Sequence, residues 1–316
     1  LAWLRDEPIA EPSEIPLLLL AEEVTRHVKV VLTGDGGDEL FGGYPKYRLE
    51  RLLRAPIPFA APALRAAMLA AATRPTHRRL SRASETLRIS DELTRWASWF
   101  RTFGPAELSA VVAPRLREAA SADAVRNRLH EVVAPHAAVD PARRMLLADF
   151  ATYLPDNMLM RADKVLMGAS VEGRMPLLAR QVVERVSDAP ASQRSGLRTS
   201  KALLRRAVED LVPREILHGT KLGFPVPVAE MLLAADGAGL RRLATSERTL
   251  SRGLFDTAAL RRLMEDRAVP DRELKLFTVV MLELWLRTSV DRVTLGPPAS
   301  LVDVLEQDEL DAPLAA

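Results

Sequence analysis

The commonest pattern in this chain is a recurrence of apolar residues at three- and four-residue spacing, typical of helices that bury one face. The first such stretch begins at Ser13, has Glu14 and Pro16 in its first turn, and extends to His27. The same spacing predicts further helices along most of the chain. They lie near residues 58–73, 88–102, 121–134, 139–153, 156–168, 177–187, 200–211, 226–234, 255–266 and 271–288. We therefore predict a predominantly helical chain.

One short segment breaks this pattern. Residues 28–32 are mostly β-branched and apolar and are bounded by Gly34, which predicts a buried strand of the parallel type. A parallel strand needs neighbours, and parallel neighbours need long crossover connections. We therefore expect an α/β fold in which this chain holds the remnant of a parallel sheet. The missing strands are expected before Leu1 or on another chain.

The two ends of the chain differ from its body. Residues 294–316 contain two adjacent prolines followed by acidic and small residues, which predicts a flexible acidic tail. Residues 1–293 form the predicted folded part. The first residue is leucine, and Trp3 to Pro8 has the character of an internal segment, so we expect the chain to be a fragment.

Composition excludes several classes of protein. The chain has 316 residues, 48% of them hydrophobic and 27% charged, which is sufficient for a buried core. It has no cysteine, so a disulfide framework, a thiolate zinc site and a cysteine nucleophile are excluded. No apolar run reaches the roughly 18–20 residues of a membrane helix, and no signal peptide is visible, which favours a cytoplasmic protein. The net charge is only +2 and aromatic residues are 5%, which argues against nucleic acid as a partner.

The strongest chemical signal is the glycine loop, residues 33–44, which directly follows the predicted strand. Open α/β sheets bind ligands at this edge. Its glycines permit close approach of the backbone to a ligand; they are Gly34, Gly36, Gly37, Gly42 and Gly43. Its carboxylates, Asp35, Asp38 and Glu39, would repel one another without a cation among them, and Mg²⁺ beside a phosphate suits such oxygen ligands. The simpler alternative is a turn with solvated acids.

The glycine loop resembles the S/T-G-E/D-G-x-D-E-L/V-F-G-G-Y loop of the asparagine synthetase family. Other segments resemble motifs of the same family in the same order, from about residue 3 to residue 288. They are Asp6-Glu7-Pro8, Leu154-Pro155-Asp156, Arg161-Ala162-Asp163-Lys164, the S-V-E-x-R-x-P-L-L stretch Ser170–Leu178, the K-x-x-L-R segment Lys201–Arg205 and the K-x-G-F-x-x-P segment Lys221–Pro227. Together these matches are far more specific than any one of them.

The resemblance implies a fold and a reaction. The fold would be the C-terminal part of an ATP-pyrophosphatase domain, similar to adenine-nucleotide α-hydrolases. The reaction would be the glutamine-hydrolysing synthesis of asparagine, in which ATP adenylates the aspartate side chain and ammonia then displaces AMP. The implied partners are therefore small molecules: ATP, aspartate or another carboxylate, and ammonia from glutamine.

The resemblance also implies roles for individual residues. Asp38 would bind Mg²⁺, with Gly34, Asp35, Gly36, Gly37 and Glu39 in the ligand-binding loop. Lys201 and Lys221 would neutralise phosphate charge. Glu172 and Arg174 would lie beside the acyl-adenylate, where Glu172 would orient or deprotonate the incoming amine. Lys201 is expected at the start of a helix, and Glu172 and Arg174 in an extended turn before Pro176.

Three departures from the family pattern limit this expectation. The ATP loop S-G-G-x-D-S is absent, and so is the glutaminase domain with its N-terminal cysteine. We therefore expect this polypeptide to be inactive by itself. Ala179 stands where the family commonly has aspartate, which removes either a carboxylate near the site or a helix cap. Two alternatives remain open: a related enzyme, such as a β-lactam synthetase, that adenylates another carboxylate, and a helical interaction module without catalysis.

Overall fold

The computed structural model describes residues 1–53, 85–120, 123–196, 199–219, 226–228, 237–291 and 304. Within these ranges the fold consists of helices around two short strands. The strands are β1 (Val30–Leu32) and β2 (Glu172–Arg174). The helices are α1 (Ala2–Arg5), α2 (Glu14–Val24), α3 (Gly37–Phe41), α4 (Pro45–Leu53), α5 (Glu92–Ser98), α6 (Pro105–Val111), α7 (Asp123–Val133), α8 (Pro141–Ala151), α9 (Met160–Gly168), α10 (Arg180–Ser187), α11 (Ala191–Arg194), α12 (Ala202–Ala207), α13 (Arg214–His218), α14 (Gly237–Thr245), α15 (Glu247–Ser251), α16 (Thr257–Glu265) and α17 (Arg272–Trp285). Turns of 3-10 helix span Pro114–Leu116, Ala134–His136 and Pro176–Leu178, and π-helical turns span Leu154–Leu159 and Leu286–Val290.

The two strands pair in parallel, which confirms the predicted strand type. Val30 lies opposite Glu172 and Leu32 opposite Arg174, and helices α3 to α9 form the described part of the crossover. From the sequence, Glu172 and Arg174 were expected in an extended turn and not in a strand. Its Glu-Gly-Arg sequence lacks the apolar, β-branched signature of a strand, so the pairing with β1, and not local propensity, makes it one.

The prediction that β1 is buried is wrong for the described structure. Val31 packs on one face of the strand pair, against a cluster that includes Ala21 of α2 and Leu166 of α9. The other face is open: Val30 is 39% exposed and Leu32 is 72% exposed. Among the described residues, helices cover a single face of the sheet, whereas parallel sheets normally have both faces covered.

The predicted helical pattern is largely confirmed. Helices α2, α5, α7, α8, α9, α10, α12, α16 and α17 lie within the predicted ranges. Helices α1, α3, α4, α6, α11 and α13 to α15, of four to nine residues each, were not predicted from the periodicity. The segment 58–73 and most of 226–234 lie outside the described residues.

Separate apolar clusters fill the interior. One, between α14, α16 and α17, includes Leu243, Leu260 and Val280. It also buries Val304, which lies within the segment predicted as a tail; the rest of residues 294–316 lies outside the described residues. A second cluster, between α4, α5, α7 and α8, includes Tyr47 and Trp96. In the part of the chain that the structure describes, no helix has the length and apolar character needed to cross a bilayer.

A fully buried ion pair joins the end of α17 to the turn after it. Arg287 Nε donates to Glu283 Oε1 at 2.7 Å, and neither side chain is exposed. Arg252 also reaches Glu283, with Nε 3.0 Å from Oε2. Glu283 is therefore the shared acceptor of two guanidinium groups.

We expect Glu283→Leu to lower the free energy of unfolding by about 3–5 kcal/mol, because it removes the carboxylate partner of the fully buried Arg287 guanidinium. Urea unfolding followed by circular dichroism measures this. The exposed pair Arg180–Glu184 is the matched control, and Glu184→Leu should change stability by no more than about 0.5 kcal/mol. Equal effects of the two substitutions would contradict the assignment.

A second buried carboxylate, Glu14 at the start of α2, should make stability depend on pH. Burial raises its pKa to about 7, and this outweighs the attraction of Arg5 and Arg161. Because the folded-state pKa lies above the unfolded value of 4.5, the folded form binds this proton more tightly, and the corresponding stability is lost as pH rises through about 7. Glu14→Gln should therefore flatten the loss of thermal stability between pH 5 and about pH 8 relative to the wild type. A melting-temperature profile with the same slope in both proteins would contradict this.

Candidate functional site

The glycine loop continues directly from β1. The Thr33 N–H donates to the Arg174 carbonyl at 2.9 Å, which extends the strand pairing by one residue. Helix α3 then begins after Gly36, whose φ is +80°, and a Cβ at that position would lie only 2.2 Å from Leu178 Cδ2. Glycine is therefore required, because the loop must pack directly on the turn that follows β2.

Asp38 and Lys201 meet at the centre of this loop. Lys201 Nζ lies 3.2 Å from Asp38 Oδ1, and both side chains are about one-quarter exposed, at 26% and 22%. Gly43 makes room for them: a Cβ there would lie 1.7 Å from Asp38 Oδ1 and 2.5 Å from Lys201 Cε. The structure thus brings together the residues predicted to bind metal and phosphate.

Lys201 precedes the first turn of α12, which confirms that it opens a helix. Its φ of 52° is in the left-handed region, where a residue with a side chain is strained. The dipole of a helix start is also unfavourable for a cation. Such strain is concentrated at functional sites in proteins, so this backbone conformation supports a functional role.

Asp35 and Glu39 have partners on different sides of the loop. Asp35 Oδ2 accepts from Thr33 Oγ1 at 2.8 Å, and its Oδ1 lies 3.9 Å from Arg161 Nη2. Glu39 is 1% exposed and its Oε1 accepts from Tyr44 Oη at 2.7 Å. Burial raises the pKa of Glu39.

Glu172 and Arg174 form an exposed ion pair on β2. Arg174 Nε donates to Glu172 Oε1 at 2.8 Å. Two residues apart on a strand, they share one face, the open face that also carries Val30 and Leu32. The hydrogen bond and charge of Arg174 lower the pKa of Glu172, so this carboxylate is ionised at neutral pH.

Two further residues were predicted for the site. Lys221 lies outside the described residues, and an added Cβ at Gly34, within the loop, would meet open space. At Gly37 it would lie 3.5 Å from Lys201 Nζ. No group of three or more acidic or histidine side chains in the described ranges could hold a metal. Mg²⁺ usually has only one or two protein carboxylates and completes its shell with water and phosphate oxygens, so Asp38 is compatible with that chemistry.

A polar network behind the loop was not predicted from the sequence. Lys46 Nζ donates a hydrogen bond to Asp149 Oδ1 at 2.8 Å. It lies within a group of aromatic rings that includes Tyr44. The scarcity of lysine in this chain was a signal that Lys46 has a specific role, but nothing local links it to Asp149, which lies 103 residues away. Arg161 was also missed as a partner of Asp35.

Ala179 occupies the position before the first turn of α10. The N–H groups of Val182 and Val183 donate to its carbonyl, at 2.8 and 3.0 Å, and it has no side-chain acceptor for the free N–H groups of the helix. Of the two consequences considered for this departure, the loss of a helix cap fits its position.

This geometry defines a class of protein. It is a mostly helical α/β protein with a small parallel sheet, and its glycine loop at the carboxyl end of β1 carries an accessible carboxylate and a lysine. The family model for asparagine synthase matches residues 1–287, and the chain belongs to this family.

Individual relatives agree with the family match. A Mycobacterium tuberculosis H37Rv protein with the provisional name asparagine synthetase (glutamine-hydrolyzing) is 35% identical over 288 residues, which cover 90% of this chain and 43% of the relative. Asparagine synthetase (glutamine-hydrolyzing) 1 of Bacillus subtilis is 29% identical over 299 residues, which cover 92% of this chain and 45% of the relative. The chain therefore spans less than half the length of these relatives.

We expect Ala179→Asp to raise the free energy of unfolding by about 1 kcal/mol, because its carboxylate would cap free N–H groups of α10. Chemical denaturation measures the change. Ala137→Asp, at an exposed alanine that does not begin an α-helix, is the control and should change stability little. An equal gain at both positions would contradict the capping assignment.

Proposed function

We propose that this chain is the C-terminal part of the synthetase domain of an ATP-dependent ligase that converts a carboxylate to an amide, with aspartate as the first candidate substrate. The single observation that carries the proposal is the contact between Asp38 and Lys201 above Gly43, at the carboxyl end of β1. Membership of the asparagine synthase family supports the reaction class. The sheet is accordingly assigned to the adenine-nucleotide α-hydrolase-like type.

In the first step, a carboxylate oxygen of the substrate bonds to the α-phosphorus of ATP. The bond from that phosphorus to the bridging oxygen breaks, and pyrophosphate leaves. Asp38 would hold Mg²⁺, which when bound supplies positive charge to the phosphate oxygens. Lys201 lies in the same place and would neutralise the departing pyrophosphate, with Lys221 as a second cation.

In the second step, ammonia attacks the acyl carbon. The carbon–oxygen bond to AMP breaks, and the nitrogen loses a proton as the amide forms. We assign the acceptance of that proton to Glu172, an accessible carboxylate on the open face of the sheet. Arg174 would hold the carboxylate in place through the 2.8 Å hydrogen bond.

The open face of the sheet supports a larger catalytic unit. Val30 and Leu32 are exposed large apolar residues opposite Glu172 and Arg174, and Val28, two residues before Val30, is also exposed. Parallel sheets are normally covered on both faces, so this face would receive further protein. We assign to that missing part the S-G-G-x-D-S phosphate loop and the glutamine-hydrolysing domain, in keeping with the greater length of the relatives.

A second candidate is an enzyme of the same kind that adenylates a carboxylate other than aspartate. The observation that favours it is Ala179, which follows directly on Leu178, the residue packed against Gly36 of the loop. A family aspartate here would cap α10 and also add a charge next to the turn that packs on the loop, and both are missing in this chain.

The decisive first experiment is to sequence the coding DNA upstream of Leu1 and express the longest continuous frame. A frame that contains S-G-G-x-D-S, with a cysteine directly after the initiating methionine, supports the ligase. ATP–pyrophosphate exchange then identifies the substrate: stimulation by aspartate supports asparagine synthesis, and exchange stimulated only by another carboxylate supports the second candidate. A stop codon followed at once by a new start would contradict the proposal and favour a non-catalytic module.

In the active protein, Asp38→Asn and Lys201→Met should each lower ATP–pyrophosphate exchange by about 100-fold or more, because each removes a charge that acts on the phosphates. Asp210→Asn, at an exposed carboxylate, is the matched control and should retain the wild-type rate. Retention of exchange by Asp38→Asn would exclude the proposed role of Asp38. Robust amide synthesis by residues 1–316 alone would refute the need for the missing part.

A further inference from the structure

Behind the glycine loop, the ammonium group of Lys46 is enclosed by aromatic rings. Lys46 is 4% exposed, and its Nζ lies 3.7 Å from the centre of the Phe100 ring, 5.7 Å from that of Tyr44 and 6.0 Å from that of Tyr153. The rings also contact one another: Phe100 and Tyr153 stack at 3.9 Å, and Tyr44 meets both edge-on. A desolvated cation over ring faces is strongly attracted to them.

Carboxylates and a phenol fix the position of this cation. Lys46 Nζ lies 2.8 Å from Asp149 Oδ1 and 2.6 Å from Oδ2, and Tyr47 Oη donates to Oδ2 at 2.6 Å. Burial lowers the pKa of Lys46, and the negative charges of Asp149, Glu39 and Glu50 oppose this shift. The ammonium group is thus held at one point between α4 and α8.

A hydrogen bond connects the rings around Lys46 to α3. Tyr44, one of these rings, donates from its hydroxyl to Glu39 Oε1 at 2.7 Å. Glu39 directly follows Asp38 in α3, and the Gly43 N–H donates a hydrogen bond to the Asp38 carbonyl at 2.8 Å. A fixed Tyr44 ring therefore fixes the turn of helix that carries Asp38.

We propose that Lys46 is a positioning residue for the glycine loop. Its ammonium group, held by Asp149, orders the ring of Tyr44, and the Tyr44 hydroxyl holds Glu39 so that the Asp38 carboxylate faces Lys201. Lys46 touches neither substrate nor metal. The consequence for catalysis rests on the proposed function, whereas the consequence for the loop does not.

The test on the chain itself is amide hydrogen exchange over residues 36–43. Lys46→Met alone would leave Asp149 uncompensated, so the informative variant is Lys46→Met with Asp149→Asn, which removes both charges and keeps an acceptor for Tyr47. The Leu40 and Gly43 amides, bonded to the Gly36 and Asp38 carbonyls, should exchange at least about tenfold faster than in the wild type. Tyr44→Phe, which removes only the donor to Glu39, should have the same local effect.

The chain offers a matched control in Lys275. This lysine is 3% exposed, lies 5.9 Å from the centre of the Phe103 ring and pairs with Glu107 at 2.5 Å, remote from the loop in a different part of the core. Lys275→Met with Glu107→Gln removes the charge of a lysine that is as buried as Lys46, together with that of its partly exposed partner, and should leave exchange at residues 36–43 unchanged. Unchanged loop exchange in both the Lys46 double variant and Tyr44→Phe would overturn the proposal, and so would equal acceleration in the Lys275 variant.

A second readout uses the longest expressed frame. The Lys46 double variant should lower kcat for amide formation by about 10- to 100-fold, with a smaller change in the KM for the carboxylate, because a misplaced Asp38 acts on the transition state more than on binding. An unchanged kcat in a variant with accelerated loop exchange would overturn the catalytic part of the inference. If the wild type itself forms no amide, the proposed function fails, and the exchange measurement still decides the role of Lys46.

Discussion

Backbone hydrogen bonds between two three-residue strands hold the site together. The Glu172 N–H donates to the Lys29 carbonyl and the Thr33 N–H to the Arg174 carbonyl, so segments about 140 residues apart in the sequence run side by side. Because the strands are parallel, the glycine loop and the Pro176–Leu178 turn emerge at the same end. The side chains of Leu177 and Leu178 then pack against Gly37 and Gly36, which sets where α3 can begin. Every proposed role of Asp38, Lys201, Glu172 and Arg174 depends on that placement.

Burial separates the charged residues of this protein into groups with different consequences. Arg287 and Glu283 are fully enclosed, and their pairing maintains the fold. Asp38 and Lys201 are partly exposed, and Glu172 and Arg174 more so, which leaves them accessible to a ligand. Lys46 and Asp149 are buried like the structural ion pair, but hydrogen bonds and ring contacts connect them to the loop that carries the site. Through this network, we infer, the packed helices α4 and α8 hold the exposed Asp38 in position.

The open face of the sheet has the composition of an interface rather than of a solvated surface. Apolar side chains of β1 lie beside the charged side chains of β2, so a covering element would meet a mixed surface with catalytic candidates at its edge. This arrangement fits a site completed by additional protein, and it agrees with relatives more than twice as long as this chain. In the proposed ligase, the described residues would contribute the glycine loop, Lys201 and the ion pair, and additional protein would contribute the rest of the nucleotide site.

The sequence by itself determined the parallel character of β1, the glycine loop that follows it, most of the longer helices and the family, because these depend on local periodicity and on motifs of contiguous residues. It could not predict β2, since Glu-Gly-Arg becomes a strand only through its partner, nor the open face of β1, since burial depends on which helices cover the sheet. The contact of Asp38 with Lys201 and the link from Lys46 through Tyr44 to Glu39 were likewise decided by the tertiary structure. These contacts join residues brought together by chain crossovers, and no spacing along the sequence encodes the distance between two side chains that meet only after the intervening helices have packed.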